Sequence, residues 1–334
     1  MYRIIKILKK FNIYNAACFC LSLKLILLLT GCGATQEPIV RTGFYFDTVI
    51  RITIYDAKKE ACIESCFELA QKYENMLSPT VEGSDIWKIN HSNGEPVEVS
   101  DETIMLLETA LFYCDITDGL IDITIEPLNE LWDFHTKEQV PSAEAISETL
   151  NHIDYNNLLI EGNTVTLLDP KASVSLGFIA KGFIADKMKE YLISQDINSA
   201  IIDLGGNILA VGSKPDGSPY KLGIQNPFDE QGTPIATLSV TDKSLVTSGI
   251  YERCFYQNDI LYHHILNPVD GYPVKNNLLS VTILSDSSVM GDALSTSCFV
   301  LGLEDGMKLI ESLDDIEAVF ITDDYVLHYS DGLN

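Results

Sequence analysis

Asp292, Ser295 and Thr296 stand at i, i+3 and i+4 in the run Asp292-Ala293-Leu294-Ser295-Thr296. On a helix, that spacing puts one carboxylate and two hydroxyls on a single face. An oxygen-only set of this kind suits a hard divalent cation. The same residue types also serve an ordinary helix N-terminus, so the spacing alone leaves both readings open. Upstream, His263 and His264 end a strand-like run before the turn Pro268-Val269-Asp270-Gly271.

Four other segments break apolar surroundings with groups able to do chemistry. Thr117–Pro127 leaves a helix at Gly119 and carries Asp122 among apolar neighbours, where an unpaired carboxylate is costly. A helix end followed by a strand is the structural expectation there. Ser175–Asp186 feeds a glycine turn into a helix start bearing Lys181, a place where backbone N–H groups and a positive charge can meet an anion. It matches neither G-x-x-x-x-G-K-[ST] nor G-x-G-x-x-G. In Asp203-Leu204-Gly205-Gly206-Asn207 a glycine pair interrupts a strand, allowing a bulge or the close approach of a ligand. Thr247–Arg253 brings hydroxyls and a guanidinium to a strand end. Other chemistries are excluded: there is no G-x-S-x-G elbow, and none of the six histidines forms H-E-x-x-H.

The elements that must position these groups follow from hydrophobic periodicity. Thr42–Tyr55 alternates and is β-branched, predicting one strand. Helices are expected over Lys58–Leu77, Asp101–Cys114, Pro141–Leu150 and Ile179–Gln195, and a helical pair over Gly291–Ser312. Ser78–Asn90 reads as a polar loop. Hairpins are expected over Leu158–Leu168 and around Thr322-Asp323-Asp324, with strands at Ser199–Val211, Thr237–Val240, Ile260–Leu266 and Leu278–Leu284. This mixture predicts an α+β fold, a mixed and antiparallel sheet with packed helices in a single catalytic body over residues 41–334.

The chain has 334 residues, 46% of them hydrophobic, and a net charge of −26. The first 31 residues hold Arg3, Lys6, Lys9, Lys10 and Lys24 and no acidic residue, so without them the net charge deepens to −31. A body this acidic repels nucleic acid, which is excluded as a partner. Residues 1–31 read as a lipoprotein signal peptide: a basic start, an apolar stretch from Ala16 to Leu29, then Leu29-Thr30-Gly31-Cys32. Cys32 is the expected lipidation site and residues 32–40 a tether, which would hold the protein on the outer side of a bacterial cell membrane. An uncleaved N-terminal anchor is the alternative and leads to the same side. The remaining cysteines form no disulfide framework. Cys62 and Cys66, at i and i+4, lack the second pair a structural zinc needs and are expected in the core.

Taken in order, these segments resemble the FAD:protein FMN transferase family, lipoproteins that move FMN from FAD onto a threonine or serine of an extracytoplasmic protein. The resemblance runs from Phe46-Asp47-Thr48 through Ser84-Asp85-Ile86 with Asn90, Asp118-Gly119-Leu120-Ile121-Asp122 and Leu176-Gly177-Phe178-Ile179-Ala180-Lys181-Gly182. It continues through Leu204-Gly205-Gly206-Asn207, Thr247-Ser248-Gly249 with Tyr251, and His264–Gly271, ending at Asp292–Thr296. It implies Mg²⁺ held by Asp292, Thr296, the Ser295 position and the Phe178 carbonyl. It also implies FAD contacts at Phe46, Thr80, Leu120, Ile121, Asp122, Ser175, Lys181 and Leu266. Phe46 stands where methionine is usual, Thr80 for a tyrosine, Ser175 for an aspartate and Asn267 for the aspartate of I-D-P. His264 is the candidate general base because it neighbours Leu266, and Lys181 supplies positive potential at the reacting phosphate. The alternatives are an FAD diphosphate hydrolase and a non-catalytic flavin-binding lipoprotein.

Overall fold

The computed structural model describes residues 37–333. The expected signal peptide and Cys32 lie outside them. The chain enters through β1 (Ile39–Tyr45) and β2 (Thr48–Ile54), an antiparallel pair closed by the two residues Phe46 and Asp47. The single strand expected over Thr42–Tyr55 is therefore a hairpin. No glycine or asparagine advertises the turn, because Phe46 and Asp47 themselves adopt φ of 50° and 54°, the left-handed values a two-residue hairpin demands. A bulky residue in that region is unusual and is held there by its surroundings: the Phe46 amide donates to Glu74 Oε1 at 2.7 Å.

Helix α1 (Ala61–Leu77) buries Cys62, Ile63, Cys66, Phe67, Ala70, Tyr73 and Leu77 on one side, which puts both cysteines in the core as expected. The expected loop at Ser78–Asn90 contains a short helix, α2 (Asp85–Asn90), whose Trp87 amide is capped by Ser84 Oγ at 2.9 Å. Its two aliphatic residues, Ile86 and Ile89, are fully buried, so two anchors and a serine cap outweigh the polar composition. After β3 (Val97–Glu98) come α3 (Asp101–Ile116), α4 (Glu126–Trp132) and α5 (Ala143–Leu150), then the hairpin β4 (Leu158–Glu161) and β5 (Thr164–Leu167).

The remaining elements build the centre. They are α6 (Ala180–Ser194), β6 (Ser199–Leu204), β7 (Asn207–Gly212), β8 (Tyr220–Gln225), β9 (Pro234–Val240), β10 (Ser244–Gly249), β11 (Cys254–Gln257), β12 (Ile260–His263), β13 (Leu278–Ser285), α7 (Ser288–Glu311), β14 (Glu317–Thr322) and β15 (Leu327–Tyr329). Eight strands form one sheet in the order β1-β2-β6-β7-β10-β13-β14-β15, with β8–β9 and β11–β12 as separate hairpins. The fold is α+β. Every pairing between named strands is antiparallel; parallel pairing survives only as an isolated bridge between Ile125 and Ser173.

All eight residues of β13 are buried, as befits an interior strand between β10 and β14, and its one internal threonine is satisfied by Thr247 Oγ1 across the ladder at 2.8 Å. Gly205 and Gly206, with φ of 60° and 96°, form the tight turn between β6 and β7, so the pair ends a strand rather than bulging it. Helices α6 and α7 pack on each other, and α7 lies on β10 and β13. Gly302, at φ 81°, breaks α7 and makes it the expected helical pair. A second, smaller core gathers Leu128, Trp132, Ile146, Phe255 and Leu266, and Trp132 Nε1 pins the nearby turn by donating to Gly271 O at 2.8 Å. No helix among the described residues is long and apolar enough to cross a membrane.

Candidate active site

The site is assembled where α6 and α7 begin. The first amides of α7 need acceptors, and Asp186 of α6 supplies them: Ser288 N and Val289 N donate to its carboxylate at 2.8 and 3.0 Å, and Ser287 Oγ does so at 2.9 Å. One turn earlier on α6, Gly182 sits against the α7 backbone so closely that a Cβ would lie 2.6 Å from Ser288 C and Val289 Cα. This contact brings the Gly182 amide to Asp292 Oδ2 at 2.8 Å. In an uninterrupted helix that amide would bond the Phe178 carbonyl. Among the described residues no backbone amide donates to Phe178 O, which leaves that oxygen free for another partner.

Asp292 is almost fully buried. Burial raises its carboxyl above the ordinary range, against the opposing pull of Lys181, the Gly182 amide and Asn207. Lys181 Nζ lies 3.8 Å from Asp292 Oδ1 and donates to Gly177 O at 3.1 Å. Asn207, first residue after the double-glycine turn, accepts from Ser288 Oγ at 2.7 Å, and its Nδ2, which acts on the Asp292 carboxylate, makes no hydrogen bond of full geometry among the described residues. Thus the segments around Lys181, Gly205 and Asp292, far apart in sequence, converge on one carboxylate.

The hydroxyls of the opening triad divide. Ser295, itself fully buried, donates through Oγ to the Asp292 carbonyl at 2.9 Å and lies 2.7 Å from Oγ of the partly exposed Ser248. Thr296 Oγ1, 3.0 Å from the same Ser248 Oγ, belongs to the less buried residue. Ser295 therefore fixes the helix to β10, and Thr296 is the hydroxyl available to a ligand. Among the described residues, no three His, Cys, Asp or Glu side chains cluster as a metal site. A cation here would rely on Asp292, Thr296 and the free Phe178 carbonyl, a hard-oxygen set that fits Mg²⁺ in type.

Strand alternation separates the paired histidines. His263 and Ile265 turn to the main core, where His263 meets the Phe299 ring edge-on at 5.9 Å and pairs through Nε2 with Val274 O at 3.1 Å. Tyr262, His264 and Leu266 take the other side. Burial pushes His263 down to about 4. Burial, then Arg253, His263 and Lys181, pushes His264 down to about 3, so its imidazole is neutral at ordinary pH. Among the described residues, His264 Nδ1 has no hydrogen-bond partner.

The expected flavin contacts other than Lys181 fall into four groups. Ile121 and Asp122 lie beside Ser175, whose amide donates to Ile123 O at 2.7 Å. Asp122 is not followed by a strand: it accepts from Thr124 N, Thr124 Oγ1 and Tyr155 N at 2.7, 2.6 and 3.0 Å. These bonds answer the cost of its burial and tie the loop together. Leu120 and Ser175 remain partly exposed. Phe46 is partly buried at the edge of the main core, and β2–β6 pairing sets its turn beside Gly205, where a Cβ would overlap Thr48 Oγ1. Leu266 is packed in the smaller core and bridges Pro273. Thr80 is held by Ser78, 3.0 Å between hydroxyls, in the turn after α1; none of its hydrogen bonds reaches the Asp292 group. Two positioning residues escaped the sequence reading, Asp186 and Glu126. Glu126 opens α4, bonds Asn129 Nδ2 at 2.9 Å and has its carboxyl raised by burial.

Comparison with known proteins places this geometry. Residues 46–320 match the model of the ApbE family. The FAD:protein FMN transferase of Treponema pallidum (strain Nichols) is 32% identical over 92% of this chain and 92% of its own length. That of Klebsiella pneumoniae (strain 342) is 36% identical over 79% of this chain and 83% of its own. Among solved structures, the ApbE protein of Thermotoga maritima aligns with a TM-score of 0.81 at 30% identity, covering 89% of this chain and 98% of that one. The flavin transferase ApbE of Vibrio cholerae aligns at 0.78 and 29%, covering 88% and 97%.

Proposed function

The chain belongs to the ApbE family, and on that premise we propose that it transfers FMN from FAD to a threonine or serine hydroxyl of another protein, releasing AMP. The observation that carries this reading is the convergence of Lys181 and the Gly182 amide on buried Asp292, with the Phe178 carbonyl left without a backbone donor at the same helix start. Phosphoryl transfer asks the protein chiefly to hold charge and geometry rather than to supply covalent chemistry. A Mg²⁺ ion held by Asp292, Thr296 and Phe178 O would neutralise charge on the diphosphate oxygens.

The chain's own residues do the rest. Lys181 faces the diphosphate with a fixed positive charge, and the start of α6 adds its backbone dipole. The acceptor oxygen forms a new bond to the FMN phosphorus as the phosphorus–oxygen bond to AMP breaks. The proton of the acceptor hydroxyl passes to His264, which is neutral and therefore able to take it. Burial first, and then the charges of Arg253, His263 and Lys181, make His264 a weak base; the negative diphosphate offsets the cationic part and raises its basicity in the complex. Phe46, Leu120 and Ser175, all partly exposed, are the groups open to the flavin.

The test is mass spectrometry of a threonine-bearing acceptor peptide incubated with the protein, FAD and Mg²⁺. One FMN should be added per peptide, with one AMP released. AMP release with an unmodified peptide would replace this reading with FAD hydrolysis, and flavin binding without turnover would reduce it to a binding lipoprotein. We also propose that Cys32 carries a lipid and holds the protein outside the cell membrane, supported by the Leu29–Cys32 sequence. A fatty-acid label should mark the protein in cells and not its Cys32→Ala variant; equal labelling of both would refute the anchor.

A further inference from the structure

The β11–β12 hairpin sends a second cation toward the site. Cys254 pairs with His263, and one step further the His264 amide donates to Arg253 O at 3.1 Å. Arg253 and His264 are thus directly opposed and leave the ladder on the same side. Cys254 and His263 leave on the other side, toward Phe299. The charged groups facing Arg253 are Asp47 at the β1–β2 turn, Glu252 beside it, and Lys181 beyond His264.

Despite those carboxylates, the Arg253 guanidinium makes no ion pair and no side-chain hydrogen bond among the described residues, whereas Arg41 is paired with Glu60. Arg253 is exposed, so its donors are open to solvent and to a ligand. An arginine left with its donors free beside the neutral imidazole of the site is a receptor waiting for an external anion.

We propose that Arg253 binds the diphosphate of FAD from the hairpin side, opposite Lys181. The inference rests on the flavin-transfer reading and adds to it a phosphate contact. A guanidinium matches two phosphate oxygens with two parallel N–H donors, and no existing ion pair has to be broken for it to do so. The two cations bracket the diphosphate, and their charge adds to burial in holding His264 unprotonated.

Binding of FAD and of riboflavin, which shares the ring but lacks phosphate, separates this role from a structural one. Flavin fluorescence quenching should show Arg253→Gln weakening FAD by roughly 10- to 100-fold, with riboflavin changed by less than about twofold. Arg253→Lys keeps the charge without the two-pronged geometry and should lose about 3- to 10-fold for FAD; it carries the same test if the glutamine variant folds poorly. Unchanged FAD binding, or equal weakening of both flavins, overturns the assignment. Failure of the unaltered protein to bind FAD at all would overturn the functional reading beneath it instead.

Discussion

Asp292→Ala is expected to abolish FMN transfer, at least about a 10³-fold loss, while the protein stays folded. The carboxylate has two connections that a methyl cannot replace: the Gly182 amide at 2.8 Å and the Lys181 ammonium at 3.8 Å. Its loss leaves a buried amide unpaired, at about 1–3 kcal/mol, and removes the one carboxylate among the oxygens able to hold a divalent cation. Asp292→Asn separates these effects. The asparagine oxygen can still accept from Gly182, so stability should fall little, yet the negative charge is gone and transfer should still drop by roughly 10² or more. Parallel measurement of thermal unfolding and FMN addition distinguishes the two contributions. An asparagine variant that transfers FMN at the unaltered rate would sink the proposed role of Asp292.

What the sequence made legible is what short-range periodicity carries. The shared face of Asp292, Ser295 and Thr296 follows from helical spacing alone, and it lies on a helix. The segments around Lys181, Gly205, Ser248 and His264 were visible as polar or glycine breaks, and they meet at one site. Illegible were the partnerships between distant residues. Nothing near Asp186 announces that it will cap a helix about a hundred residues later, and nothing near Asp122 announces the Tyr155 amide. His264 is preferred over His263 on the sequence for its place near Leu266; that His263 packs on Phe299 depends on which face of β12 meets α7, which the local sequence does not state. The hairpin at Phe46-Asp47 was missed because its left-handed turn is held by Glu74, not by residues that favour turns. In each case, a contact formed in tertiary structure overrides or completes a local signal.

Gly182 shows how that tertiary requirement can reverse the sign of a mutation. In an open helix, Gly→Ala stabilises by about 1 kcal/mol, because alanine loses less backbone entropy on folding. At Gly182 the added methyl would meet Ser288 C and Val289 Cα at 2.6 Å. These are backbone atoms held by Asp186, and they cannot rotate away as a side chain could. Overpacking of this kind costs about 1–3 kcal/mol, and the rigid neighbour puts it at the upper end. Subtracting the propensity gain leaves a net loss of roughly 2 kcal/mol, a fall in melting temperature of about 3 °C for a body of this size. The damage should not stop at stability. Relief of the overlap moves α6 off α7, lengthens the Gly182–Asp292 bond and shifts the carboxylate relative to Lys181, so transfer should fall more than the folded fraction does. Calorimetry and the transfer assay on Gly182→Ala decide it: a variant as stable as the unaltered protein would mean the helices tolerate the methyl, and the close crossing would lose its place as the device that aims Asp292.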